Sequence, residues 1–131
     1  MSRRSFSSLL RPALFVDAIV TGATGLLLAL GAPALAPWLG LPVELLRVAG
    51  LSLLPFVAYV ATVARATPVR LGHVRAIAIV NVLWVAASVL LVLAGPASLT
   101  ILGYAFVLGQ ALVVMAFAEF QWLGARATAT A

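Results

Sequence analysis

The sequence predicts an all-α membrane protein, with four transmembrane helices in an antiparallel up-down bundle joined by short loops. Three observations point there. Of 131 residues, 65% are hydrophobic and only 8% charged, with a mean hydropathy of +1.23; soluble domains carry about 25% charged residues. So few charges cannot cover a core of this size with a wetted surface, and the bilayer must be the solvent on most sides. Apolar stretches of about 20 residues, the length that crosses a bilayer as a helix, recur near 13–31, 46–64, 74–94 and 99–123. Finally, the arginines divide by side. The whole chain, 1–131, reads as a single four-span domain.

In hydrocarbon every backbone N–H and C=O must be paired internally, which favours helices at these lengths. The alternating ten-residue segments of a barrel are not found in the sequence. In the first span the 100° helical step puts Asp17, Thr21 and Thr24 on one stripe, with Ala18, Gly22, Gly25 and Ala29 beside it. Small residues let helix backbones approach closely, so this side is expected to meet protein. Val16, Ile19, Val20, Leu26, Leu27 and Leu30 lie opposite and are expected to face lipid. The stretch GAPALAPWLGLPVE, with Pro33, Pro37 and Pro42, reads as the first connection.

The second span offers Gly50, Leu54, Ala58 and Ala61 as its packing stripe, and Pro55 removes one helical hydrogen bond and should bend it. In the third, Ile77, Asn81, Trp84, Val85, Ser88 and Val92 share a face; Asn81 and Ser88 need partners away from lipid. The fourth is divided, with Gln110, Val114, Phe117 and Gln121 on one stripe and Leu108, Leu112, Met115 and Glu119 roughly opposite. Either Glu119 escapes to the cytoplasmic interface, or this helix contacts protein on two sides, which implies a homo-oligomer.

The net charge is +5 and every basic residue is arginine. In a four-span layout Arg3, Arg4, Arg11, Arg65, Arg70, Arg75 and Arg126 fall on one side, and only Arg47 on the other. The positive-inside rule makes the first side cytoplasmic and places both termini there. Trp38 and Trp122 suit the two interfaces, and Trp84 a packed, deeper position. The opening SRRSF resembles a twin-arginine export address, and APALA imitates a cleavage site. Pro37 directly after that site, Asp17 inside the apolar run and further spans downstream argue against cleavage. These arginines are read as an anchor.

The chemistry the chain can host is narrow. There are no cysteines, so disulfides and thiolate metal sites are excluded. No phosphate loop, HExxH or nucleophile elbow is found, and GATG in the first span lacks the preceding strand of a dinucleotide site. His73 stands alone among arginines, and metal sites need several converging donors. The expectation is therefore no enzyme, no catalytic residue, no metal and no cofactor. The scattered arginines form no nucleic-acid motif, which leaves the lipid bilayer and a second membrane-protein chain as partners.

An ionisable group within a span is a functional candidate by default. Asp17 and Glu119 both lie toward the cytoplasmic side, within reach of Arg11 and Arg126 or water, and Asn81 and Gln110 are the polar residues that could join them. Two readings stay open: interfacial or paired structural carboxyls, or a proton- or cation-handling pair facing a cytoplasmic cavity. NVLWVAAS and GYAFVLGQALVVMAFAEFQWLG resemble small four-helix bacterial inner-membrane proteins. The resemblance implies that architecture and location and brings no activity with it. Small multidrug transporters also have four spans and an acid in the first, but theirs is a deeper glutamate, and their later motifs are not found in this chain. The leading expectation is a non-enzymatic protein acting through helix–helix association, as an accessory subunit or self-assembling bundle. The alternative is a small proton- or cation-coupled transporter.

The layout has a direct check. Single cysteines at Arg70 and Pro96, probed with a membrane-impermeant reagent in intact cells and in inverted vesicles, should label from opposite sides.

Overall fold

A computed structural model describes the backbone of residues 3–129 and the side chains of 7–129. The side chains of Arg3 and Arg4, two expected anchors, lie outside the described residues. Four helices make up the described residues: α1 (Arg3–Leu39), α2 (Val43–Arg65), α3 (Leu71–Ala94) and α4 (Ile101–Ala129). All four are long and apolar enough to cross a membrane. The chain is a multi-pass membrane protein, folded as an antiparallel up-down bundle with short connections.

The helices overrun the expected spans, α1 most of all. It continues through Pro33 and Pro37, which the sequence placed in a connection, and stops only at Leu39. The reason lies in side-chain spacing. Leu28, Ala32, Ala36 and Leu39 continue one buried stripe, while both prolines fall on the exposed side. At membrane depth an unpaired backbone is costlier than a proline in a helix whose neighbours accommodate it. Only Gly40, Leu41 and Pro42 are left to turn the chain. Gly40 has φ +71°, and a Cβ there would lie 1.9 Å from the Ser98 carbonyl oxygen, so this turn needs glycine. The α3–α4 connection clasps the same end of α1. Ser98 Oγ donates to the Gly40 carbonyl at 2.9 Å, and Thr100 Oγ1 to that of Trp38 at 2.6 Å.

Two apolar clusters fill the ends of the bundle. At the arginine-rich end Leu10 and Leu14 of α1 pack with Val60 and Val63 of α2, Val74 and Ile77 of α3, and Ala125 of α4. At the other end Leu28, Ala32 and Leu39 meet Leu46 and Val107. Helix α1 packs along both α2 and α4, and α4 along α3, whereas α2 and α3 barely touch. Their meeting point is beside their own connection, where the Tyr59 hydroxyl bonds to His73 Nδ1 and the rings stack edge to face.

The α1–α2 contact is a close backbone crossing. A Cβ on Gly50 would come within 2.5 Å of the Ala29 nitrogen and 2.7 Å of the Gly25 carbonyl oxygen. Gly22, one turn away, faces Val57 at 3.5 Å from its Cβ position, and Ala18 is buried. The small-residue stripe of α1 is thus used inside the bundle. On α2 the buried stripe is Leu46, Gly50, Leu53, Val60 and Ala64; Ala58, expected inward, is exposed. Pro55, where a bend is expected, is exposed and lies within one continuous helix. Arg11, expected to serve Asp17, donates instead to the carbonyls of Ala64 and Ala66. It satisfies acceptors that the C-terminus of α2 would leave open. On α1, Val16, Ile19, Val20, Leu26, Leu27 and Leu30 are all exposed, as expected of the lipid side.

Because the two nearest atoms facing Gly50 are backbone, the crossing cannot yield to a larger side chain. Gly50→Leu should destabilise the bundle by about 1–3 kcal/mol in reversible denaturation from mixed micelles. Gly72→Ala, where nothing lies within 4 Å of the added Cβ, should not.

Candidate functional site

Three helices bring polar side chains to one point between the apolar clusters. Asp17 of α1 and Gln121 of α4 are 0% exposed, and Asn81 of α3 is 3% exposed. Asp17 Oδ2 accepts from Gln121 Nε2 at 2.5 Å and from Asn81 Nδ2 at 2.9 Å. Asp17 Oδ1 accepts from Thr21 Oγ1 at 2.8 Å, and Asn81 Nδ2 also reaches Gln121 Oε1 at 3.0 Å. All three donors to the carboxyl are neutral. Asp17 lies six residues beyond Arg11, or about 9 Å along the helix. Such a cluster forms because a buried polar group left unpaired costs about 1–3 kcal/mol, and no water is at hand in hydrocarbon to relieve it.

A second polar group sits toward the other end of the bundle. Trp84 Nε1 donates to Gln110 Oε1 at 2.8 Å. Gln110 Nε2 donates to Ser88 Oγ at 2.9 Å and to the Val107 carbonyl at 2.7 Å. Ser88 Oγ in turn donates to the Trp84 carbonyl at 2.9 Å. Gln110 and Gln121 are eleven residues apart on α4, which is nearly three whole turns, so both face inward. Ser88, expected only as a packing residue, belongs to this hydrogen-bonded group.

Two cavities adjoin these clusters. A cleft of about 480 Å³ opens along the unpacked α2–α3 seam and reaches Trp84, Ser88 and Gln110. A chamber of about 120 Å³ adjoins it, lined by Thr21 and Asn81 on one side and by Trp84 and Gln110 on the other. Thr24, Trp84 and Gln110 border both. Asp17 lines neither, although its partners Thr21 and Asn81 do.

Glu119 is elsewhere. It is exposed on the outer side of α4, in a groove of about 420 Å³ with Val82, Leu83, Met115 and Trp122. Asp17 and Glu119 therefore do not form the pair that the sequence suggested. Ala118, Gln121 and Ala125 occupy the inward stripe of α4, and Glu119 lies 200° from Gln121 at the helical step. Along the axis the two differ by only about 3 Å, so Glu119 is at nearly the depth of Asp17 but on the lipid side. It has no hydrogen-bond or ion-pair partner among the described residues.

The remaining polar residues are placed simply. Glu44 and Arg47 pair at 3.1 Å at the start of α2. No group of three metal-ligating side chains is found among the described residues. Of these residues Asp17, Asn81 and Gln110 are expected from the sequence, whereas Gln121 and Trp84 as hydrogen-bond partners are not. The signal for Gln121 was its place on the stripe of Gln110. Comparison with known protein families, curated proteins and solved structures found no match.

Asn81→Leu removes one donor from Asp17 and leaves Gln121 Oε1 without its partner, so unfolding should become about 1–3 kcal/mol easier. Thr62→Val, at an exposed hydroxyl bonded only within its own helix, should change little in the same assay.

Proposed function

We propose that the chain is a non-enzymatic protein of the bacterial inner membrane, with both termini cytoplasmic, that acts by self-association through the outer face of α3 and α4. The observation that carries this reading is Glu119. A carboxyl at that depth on a lipid-facing side is expensive unless it finds a donor. Trp122, one turn on and 40% exposed, offers an indole N–H beside it. A two-fold contact is self-complementary, so each copy supplies the same patch. Two copies facing across this groove can pair Glu119 of each with Trp122 of the other. The small-residue stripe of α1 cannot serve this purpose, because α2 already covers it. An accessory subunit would use the same groove for a different membrane helix.

The second reading, proton- or cation-coupled transport, has one supporting observation, the inner chamber that Asn81 and Gln110 line. It is weakened by the separation of Asp17 from Glu119 and by the burial of Asp17 away from both cavities.

Single cysteines at Val82 or Leu83 should give crosslinked dimers in proteoliposomes, and Glu119→Leu should reduce the yield severalfold. Monomer alone in proteoliposomes, with crosslinking to a different protein in native membranes, would favour the accessory-subunit form. Proton-driven uptake abolished by Asp17→Asn with dimers intact would favour transport and overturn the association reading.

A further inference from the structure

The cleft between α2 and α3 is independent of the Glu119 face and suggests a separate activity. The two helices are pinned together beside their connection by Tyr59 and His73. Beyond that point they part, leaving the 480 Å³ cleft and the 120 Å³ chamber that adjoins it at Thr24, Trp84 and Gln110. This size lies in the range of small-molecule sites, about 300–1,000 Å³, which are mostly apolar with a few convergent polar groups. The cleft walls, including Leu45, Ala49, Leu90 and Ala94, are apolar. The polar groups are gathered where cleft and chamber join.

The head chemistry of an occupant follows from two properties of the lining. No charged side chain borders either cavity, so a phosphate or carboxylate head would be desolvated without a counter-charge. The polar hydrogens around the chamber are also already engaged. Both amide hydrogens of Asn81 serve Asp17 and Gln121, and both of Gln110 serve Ser88 and Val107. The Trp84 indole hydrogen goes to Gln110, and the hydroxyls of Thr21 and Thr24 go to Asp17 and the Val20 carbonyl. What these residues still present is acceptor capacity on the Asn81 carbonyl, the Gln110 carbonyl and the Thr24 hydroxyl oxygen.

We infer that the α2–α3 seam binds a neutral lipid whose head is a hydroxyl, with that head donating in the chamber between Asn81 and Gln110 and the apolar chain lying in the cleft. Surrounding hydrocarbon gives such a molecule direct lateral access, because no helix of this chain covers the seam. An ester or ketone head of similar size brings only acceptors, which the lining does not match.

Trp84 borders both cavities and reports on them directly. In a Trp38→Phe, Trp122→Tyr background Trp84 is the remaining tryptophan, and its fluorescence can be quenched in proteoliposomes by dibromooctadecanol, by methyl dibromooctadecanoate and by dibromooctadecanoate. The alcohol should quench saturably at low mole fraction, and the ester and acid at least roughly fivefold more weakly, the factor expected for one unmatched hydrogen bond. Ala87→Phe, which fills the cleft, should remove the saturable component. Equal, non-saturating quenching by all three lipids would overturn the inference. So would efficient Ala87→Cys crosslinking between two copies, since a second protein chain would then fill the seam. The alcohol-to-ester comparison needs no cleft variant, and none of these readouts depends on dimerisation through Glu119.

Discussion

The carboxyl of Asp17 constrains more of this structure than any other group. It lies in the interior of a chain surrounded by hydrocarbon, where neither water nor a wetted surface can satisfy it. Its needs are met by one neighbour on its own helix and one each on α3 and α4. Apolar side chains in a lipid environment have little preference for one register over the next, since lipid tails are as apolar as leucine. A carboxyl that needs amide donors at hydrogen-bond distance has such a preference. Sliding α1 past α3 or α4 by one residue would break contacts that nothing else can replace. The same point fixes how α4 is rotated, with Gln121 inward and Glu119 consequently outward.

Helix α2 stands outside this arrangement and is held by other means. Its backbone crosses that of α1 at Gly25 and Gly50, and Arg11 closes its C-terminal carbonyls. Both attachments are to α1 and its N-terminal end. None reaches α3 beyond the connection, which is why the seam between α2 and α3 is open while the other neighbouring seams are packed. The open seam, the inner chamber and the outward carboxyl are thus consequences of one division: α1, α3 and α4 joined by polar contacts, and α2 laid against α1 by shape.

Much of the fold was legible in the sequence because hydropathy and the 100° step act locally. The four spans, the lipid face of α1 and the inward face of α3 needed no knowledge of partners. Errors arose where a neighbour decides. Pro33 and Pro37 read as a connection because proline disfavours helices in isolation, yet the buried spacing of Ala32, Ala36 and Leu39 carries the helix through them. Arg11 was near enough to Asp17 in sequence to seem its partner, but the end of α2 offered two carbonyls in its path. The candidate site was half visible. Asp17, Asn81 and Gln110 announce themselves as polar residues in apolar runs, while Gln121 shows only by sharing the stripe of Gln110, and its meeting with Asp17 and Asn81 depends on how the helices pack. The cavities had no signature in the sequence, since they arise from a contact that two helices do not make.

The most direct test of the role given to Asp17 is a double-mutant cycle with Gln121, using Asp17→Leu, Gln121→Leu and the double variant, with unfolding free energy measured in bicelles. A coupling energy above about 1 kcal/mol is expected, toward the upper end of interhelical hydrogen bonds in membranes. Additive effects within about 0.3 kcal/mol would show that the two side chains do not hold the helices together.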